Sequence, residues 1–162
     1  MKQIILIMGI CGCGKTTVGK ELSKSLGIPF LDADDFHPRE NVMKMSRGQA
    51  LTDEDRWPWL AAIVEHIQHN HRNSFVLGCS ALKESYRAYL GQRLQVHPVL
   101  LELSFDEAKA RMDQRKNHFM PSSLIQSQLD TLEIPKDGLK LSATTPLNEL
   151  VDKLDQNFRK LL

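Results

Sequence analysis

A glycine-rich loop at residues 9–16 places the strongest constraint on how this chain can fold. The loop reads Gly-Ile-Cys-Gly-Cys-Gly-Lys-Thr and matches G-x-x-x-x-G-K-[ST] at every fixed position. An apolar run at residues 4–8 precedes it, and apolar residues at helical spacing, including Val18 and Leu22, follow it. A strand, this loop and a helix in that order form the context in which the motif binds phosphate groups. The sequence therefore predicts a phosphate-binding loop between a strand and a helix.

The residue types in this loop predict how a bound nucleotide would be held. Glycines allow backbone N–H groups to turn toward phosphate oxygens, Lys15 would reach the β and γ phosphates, and the Thr16 hydroxyl would bind Mg²⁺. Two interpretations of Cys11 and Cys13 stay open, as small packing side chains or as thiols sensitive to oxidation. The predicted nucleotide-binding residues of the loop are Gly9, Ile10, Cys11, Gly12, Cys13, Gly14, Lys15, Thr16 and Thr17.

Further apolar runs are short and continuous rather than alternating. They cover residues 74–77 and 99–103, with shorter candidates at residues 29–31 and 139–142. Such runs are typical of parallel strands that are buried on both faces. Segments with helical spacing separate them. This alternation predicts an α/β fold of the P-loop NTPase type, a three-layer sandwich with a central parallel sheet of about five strands and helices on both faces.

Length and composition exclude several classes of protein. The chain has 162 residues without an internal repeat, which predicts a single domain over residues 1–162. A net charge of +1 favours neither nucleic acid nor an anionic membrane as a partner. No apolar stretch approaches the roughly 20 residues that span a bilayer, and the first apolar run is too short for a signal peptide. We therefore expect a cytoplasmic protein with reduced cysteines.

An acidic segment follows the second predicted strand, at residues 32–38. Carboxylates at the carboxyl end of a parallel strand beside the loop-bearing strand would face the ligand crevice. There one carboxylate would accept a proton from an attacking hydroxyl, as a kinase requires, and another would hold magnesium through water. The alternative is a solvated acidic turn that caps a helix beginning at Pro38. No N-K-x-D segment of the kind that gives GTPases their guanine specificity occurs in the sequence.

A basic cluster lies late in the chain and comprises Arg111, Arg115, Lys116 and His118. Arg111 and Arg115 are four residues apart and share one helix face. They predict a mobile lid over about residues 111–125, in which Arg111, Arg115 and Lys116 contact ATP and Arg115 also stabilises the transferred phosphoryl group. The alternative is a set of cations that favour a helix C-terminus.

Several longer segments closely resemble the gluconokinase family. They include Asp34-Asp35-Phe36-His37-Pro38 with Asn41, Lys44-Met45 with Gly48, and Leu51-Thr52-Asp53-Glu54-Asp55-Arg56-Trp57-Pro58-Trp59-Leu60. They continue with Cys79-Ser80-Ala81-Leu82-Lys83, Tyr86-Arg87, Arg115-Lys116, His118-Phe119-Met120-Pro121 and Ser127-Gln128. The resemblance covers most of residues 4–135. It implies a shikimate-kinase-like fold, ATP-dependent phosphorylation of the 6-hydroxyl of D-gluconate, and a homodimer.

Gluconate carries one carboxylate and many hydroxyls, so its site needs cations and hydrogen-bonding groups in one crevice. Arg56, Lys83 and Arg87 are the candidate cations, with Arg56 the first choice for the substrate, while Asp34 and His37 would bind hydroxyls. Of the carboxylates after the second predicted strand, Asp34 is the candidate catalytic base. Two alternatives to this function remain. One is a kinase of the same fold that acts on another sugar acid or a shikimate-like substrate, and the other is an inactive nucleotide-binding regulator.

Overall fold

The computed structural model describes residues 1–114 and 122–162. Within these residues, five parallel strands form one sheet in the order β2-β3-β1-β4-β5. All five predicted strands are present, and the predicted α/β fold class is confirmed. The strands are β1 (Gln3–Met8), β2 (Phe30–Asp32), β3 (Ser74–Gly78), β4 (Gln95–Glu102) and β5 (Leu139–Ser142).

Helices connect the strands, and two of them begin with side-chain caps that the sequence signals. Thr52 and Asp55 form a capping box at the start of α3, and Ser104 and Glu107 form another at α5. None of the helices in the described ranges is long and apolar enough to cross a membrane. The helices are α1 (Lys15–Leu26), α2 (Arg39–Ser46), α3 (Asp53–His69), α4 (Glu84–Gly91), α5 (Phe105–Asp113), α6 (Ser122–Thr131) and α7 (Leu147–Phe158).

Strand β1 explains why the apolar runs are continuous. Ile5 and Ile7 lie in a buried cluster that includes residues of α1, α5 and α7, whereas Ile4 and Leu6 lie in a second cluster with residues of α3 and α4. Successive side chains of a strand point to opposite faces, and here each face meets a layer of helices. Each residue of the strand core is therefore apolar.

The position of β2 differs from the prediction. We expected β2 beside β1, but β3 lies between them, and β1 pairs with β3 and β4. Helix α1 is long enough to carry the chain past one strand position, and it packs so closely against β2 that a Cβ on Gly19 would lie 2.4 Å from Phe30. Because neighbouring strands are about 4.8 Å apart, the ends of β1 and β2 are separated by roughly 10 Å. This separation leaves room for a ligand at the carboxyl edge of the sheet.

Candidate active site

The phosphate-binding loop connects β1 directly to α1, as predicted. Gly12 and Gly14 have φ angles of 81° and 95°, in the left-handed region that glycine adopts without strain. Helix α1 has no side-chain cap and no acidic residue in its first turn, in contrast to α3 and α5. Its first N–H groups and the positive end of its dipole are therefore available to an anion.

The Lys15 side chain folds back over this loop. Its Nζ donates to the carbonyl oxygens of Gly9 at 3.0 Å and Ile10 at 3.1 Å. The next residues, Thr16 and Thr17, are exposed. No group of three or more acidic, histidine or cysteine side chains within the described ranges could hold a metal ion. A single hydroxyl beside phosphate groups nevertheless suits Mg²⁺, which usually takes one or two protein ligands and completes its shell with phosphates and water.

A cavity of about 490 Å³ opens beside the loop, and Gly12, Gly14, Thr17 and Arg111 contribute to its wall. The Arg111 guanidinium donates to the Gly12 carbonyl oxygen at 2.9 Å and to the Ala143 carbonyl oxygen at 2.6 Å. It thereby fixes the loop against the segment that follows β5. This cavity has the size and the position for the nucleoside part of a bound nucleotide. The other predicted lid residues, Arg115, Lys116 and His118, lie outside the described residues.

A second cavity of about 490 Å³ brings together predicted substrate residues from distant parts of the chain. Asp34, His37 and Arg56 line it, together with Trp59, Tyr86 and Gln128. Gln128 on α6 also accepts a hydrogen bond from the Cys11 N–H at 2.6 Å. The second cavity is therefore connected, through Gln128, to the phosphate-binding loop. Neither α6 nor the role of Gln128 was predicted from the residue pattern.

Asp34 lies in a short 3₁₀ helix, Ala33–Phe36, that directly follows β2. The Asp32 carboxylate caps this turn by accepting a hydrogen bond from the Asp34 N–H at 2.9 Å. Protein atoms around the Asp34 carboxyl raise its pKa above the ordinary aspartate value, and the negative charge of Asp32 raises it further. The side chain keeps 86% of its surface exposed, so water still solvates the carboxyl group.

His37 is held in one orientation by three residues. Its ring stacks on the indole of Trp59, and its Nε2 lies 4.0 Å from the Asp34 Oδ1. The Asn41 Nδ2 donates to the Asp55 carbonyl oxygen at 2.8 Å and lies 3.3 Å from the His37 Nδ1. Because the contact with a carbonyl oxygen identifies this Asn41 atom as the amide nitrogen, the His37 Nδ1 accepts and its Nε2 carries the proton.

The environment of His37 also favours its neutral form. Burial lowers the pKa of His37 below the ordinary histidine value, and the Arg56 charge acts in the same direction against the opposing effect of Asp34. A neutral His37 with its proton on Nε2 presents an N–H donor toward Asp34 and the cavity. That donor is suited to a hydroxyl oxygen of a ligand.

Arg56 lies at the start of α3 and lines the same cavity. Its Nη1 donates to the Leu51 carbonyl oxygen at 3.0 Å and to the Tyr86 hydroxyl at 3.1 Å. The Tyr86 hydroxyl in turn donates to the Asp53 carboxylate. Lys83 is 3.1 Å from the same carboxylate, so the structure places Lys83 in an ion pair rather than on the cavity wall.

Arg87 lies elsewhere. Its side chain is 5% exposed and donates to the carbonyl oxygens of Ala81, Leu82 and Glu133, at distances of 2.7, 3.2 and 2.6 Å. Its guanidinium also pairs with Glu84. The structure therefore does not bring Arg87 to the cavity that holds Asp34, His37 and Arg56. Its contacts instead hold the turn after β3 against the chain after α6.

Asn41, Asp53 and Tyr86 shape the site, but the residue pattern did not single them out for a role. Asn41 is a buried polar residue in the short helix α2. Its position three residues after Pro38, on a helix that mixes polar and apolar residues, gave no indication that it would contact His37. Tyr86 had the spacing of a packing residue on α4. The role of its hydroxyl depends on Arg56 and Asp53, which the fold brings to it from α3.

The chain is similar to several known proteins over most of its length. The family model for shikimate kinase matches residues 11–136 of the chain. A gluconokinase from Gluconobacter oxydans is 41% identical, over 97% of this chain and 92% of that protein. A thermosensitive gluconokinase from Escherichia coli is 38% identical, over 83% of this chain and 73% of that protein.

The similarity extends to solved structures. The crystal structure of a gluconokinase from Sinorhizobium meliloti superposes with a TM-score of 0.87 at 42% identity, covering 99% of this chain and 93% of that one. A shikimate kinase from Aquifex aeolicus superposes with a TM-score of 0.61 at 19% identity, covering 98% and 97% of the two chains. The second likeness concerns the fold alone.

Proposed function

Because this chain belongs to the gluconokinase family of shikimate-kinase-like enzymes, we propose that it transfers the γ-phosphoryl group of ATP to the 6-hydroxyl of D-gluconate. The products are 6-phospho-D-gluconate and ADP. The observation that carries the proposal is the second cavity, in which a carboxylate, a histidine N–H and an arginine share one wall beside the phosphate-binding loop. A polyhydroxy acid needs this combination of groups, and a nucleoside monophosphate does not.

The carboxylate of Asp34 acts on the attacking hydroxyl. It accepts the hydroxyl proton while the hydroxyl oxygen forms its bond to the γ phosphorus and the bond to the β-γ bridging oxygen breaks. Asp34 lines the cavity and its side chain is largely exposed, which leaves the carboxylate accessible for this contact. His37 donates its Nε2 proton in a hydrogen bond to a substrate hydroxyl and so fixes the sugar chain next to Asp34.

Lys15 and Arg56 bind the two reactants, ATP and D-gluconate. Arg56 pairs with the gluconate carboxylate, which places the far end of the substrate next to Asp34. Lys15 exchanges its carbonyl contacts for phosphate oxygens and stabilises charge that accumulates during transfer. When bound, Mg²⁺ neutralises phosphate charge, and the Thr16 hydroxyl would hold it. Arg115 and Lys116, which lie outside the described residues, keep their predicted roles at the nucleotide.

A coupled ADP-release assay with Mg-ATP tests this function. The panel contains D-gluconate, other aldonic acids, shikimate, glycerate, AMP and water, and phosphorus NMR of the product identifies the esterified carbon. Turnover with D-gluconate and a phosphate on C6 is the expected result. Turnover with a different acid would replace the substrate and keep the kinase, whereas binding of ATP without turnover on any acid would favour the nucleotide-binding regulator. Size-exclusion chromatography with light scattering tests the homodimer, which stays a prediction.

A further inference from the structure

We propose that Tyr86 is a positioning residue that orients Arg56 to receive the substrate carboxylate, with Asp53 and Lys83 fixing Tyr86 in turn. The inference rests on the proposed function, because it assigns the carboxylate of gluconate to Arg56. It concerns four side chains that form one hydrogen-bonded chain from the cavity wall to the protein surface. We call this chain of Arg56, Tyr86, Asp53 and Lys83 the arginine support.

Arg56 retains N–H donors that no described residue engages. Its Nη1 is engaged by the Leu51 carbonyl oxygen at 3.0 Å and the Tyr86 hydroxyl at 3.1 Å. Within residues 1–114 and 122–162, no acceptor takes a hydrogen bond from its Nε or Nη2. A guanidinium is planar, so fixing one nitrogen at two acceptors fixes the orientation of the whole group. The free Nε and Nη2 form the parallel pair of donors that binds a carboxylate through both of its oxygens.

The hydrogen bonds of the arginine support run in one direction, from Arg56 to Tyr86 and from Tyr86 to Asp53. A guanidinium has no acceptor, so the Tyr86 oxygen must accept from Arg56 and send its own proton elsewhere. That proton goes to the Asp53 carboxylate. Lys83 contacts both carboxylate oxygens of Asp53, at 3.1 and 3.3 Å, and helps to keep this group ionised as an acceptor. The charge of Lys83 thus acts on Arg56 through Asp53 and Tyr86, without contact with the substrate.

The Tyr86 hydroxyl separates the Arg56 guanidinium from the Asp53 carboxylate. The Arg56 Nη1 lies 3.9 Å from the Asp53 Oδ1, which is beyond a direct hydrogen bond. Tyr86 bonds to both groups and keeps them at this distance. Without the hydroxyl, Arg56 and Asp53 would be free to close into a direct ion pair, and the guanidinium would turn away from the cavity. The Arg56 Cζ also lies 5.5 Å from the centroid of the Tyr86 ring, a contact that the ring would keep without its oxygen.

The substitution Tyr86→Phe therefore removes the hydroxyl and retains the ring. We expect the KM for D-gluconate to rise about fivefold to tenfold, the net contribution of one typical hydrogen bond, while kcat stays within about twofold. The KM for ATP should not change. Tyr89→Phe is the matched control, because Tyr89 packs against Trp57 and its hydroxyl has no hydrogen-bond partner within the described residues.

A double-mutant cycle separates positioning from general stability. If Tyr86 acts through Arg56, the variant Arg56→Ala/Tyr86→Phe will have the same KM for D-gluconate as Arg56→Ala alone. An additive rise in KM, or an unchanged KM in Tyr86→Phe, would overturn the positioning role even though the wild type phosphorylates gluconate. Absence of gluconate turnover in the wild type would instead overturn the proposed function and this inference together.

Discussion

The imidazole of His37 lies face to face with the indole of Trp59, with ring centroids 4.4 Å apart and an angle of 14° between the planes. The indole is itself fixed, because its Nε1 donates to the Ala33 carbonyl oxygen at 2.6 Å. Since Ala33 directly precedes Asp34, one tryptophan on α3 positions both the histidine and the turn that carries the carboxylate. The relative placement of His37 and Asp34 is therefore determined by packing before any substrate binds.

Replacing Asp34 with asparagine should abolish proton acceptance with little change of shape. We expect kcat to fall by about 10²–10⁴-fold, the usual contribution of a general base, with a KM for ATP near the wild-type value. Steady-state kinetics measure both. Asp35→Asn is the control, because Asp35 is exposed in the same turn and does not line the cavity. Near-normal turnover of Asp34→Asn would show that a different group accepts the proton.

Lys15→Met should remove phosphate stabilisation while leaving the fold intact. The Lys15 ammonium is bound only by loop carbonyl oxygens and a weak contact to Cys13 within the described residues, so its loss leaves no buried charge unpaired. We expect kcat to fall by roughly 10²-fold or more, because the charge that the lysine neutralises is greatest during transfer. Thermal unfolding should change little. Lys20→Met, at an exposed position of α1, serves as the control and should retain full activity.

The elements that the sequence predicted best are those whose pattern follows from burial alone. Strand β1 is apolar at each core position because both faces of the sheet are covered. The loop after it has the glycine and lysine spacing of a phosphate-binding loop between a strand and a helix. The order of the strands could not be read in this way. Strands that are consecutive in sequence are usually neighbours in the sheet, yet β3 lies between β1 and β2. Nothing in the sequence of residues 29–31 indicates which strand lies beside them.

The candidate site likewise contains residues whose placement the sequence predicted and residues whose placement it did not. The acidic segment and the family resemblance selected Asp34, His37 and Arg56, and the structure brings these three to one cavity. The sequence identified Lys83 and Arg87 only as cations and could not show which acceptor each side chain would bind. Lys83 meets a carboxylate and Arg87 meets backbone carbonyl oxygens, and both outcomes depend on chain segments distant in sequence. Helix α6 was not predicted, although Ile125 and Leu129 are four residues apart and both contact the core cluster on one side of the sheet.

The buried imidazole of His37 should make the stability of the protein depend on pH. Burial lowers the pKa of His37 in the folded state, whereas the unfolded chain has the ordinary value of about 6.5. The unfolded state therefore binds more protons in acid. The stability associated with neutral His37 is present above about pH 6.5 and is lost as the pH falls through the lower folded pKa.

His37→Gln should accordingly show a smaller decrease in Tm than the wild type when the pH is lowered from about 7.5 to about 5.5. Differential scanning calorimetry across this range measures the difference. The pKa of His97 is also lowered by burial, so His97→Gln should flatten the profile further. His71→Gln is the control, since the exposed His71 is solvated in both states. A parallel shift of the whole profile in His37→Gln would contradict the assignment.

Arg87 should contribute to stability rather than to substrate affinity. It binds three backbone carbonyl oxygens, one of them from Ala81, a non-glycine residue with a φ of 44°. Arg87→Met would remove the donor to the carbonyl oxygens of Ala81 and Glu133, whereas the Leu82 carbonyl oxygen would keep the Glu133 N–H. We expect a cost of about 3 kcal/mol, which corresponds to a Tm lower by about 6–12 °C in a protein of this size. The KM for D-gluconate should stay within about twofold, and Arg93→Met, at an exposed site, should change neither quantity. A tenfold rise in KM at an unchanged Tm would instead place Arg87 at the substrate, as the sequence predicted, and would require the turn after β3 to rearrange when gluconate binds.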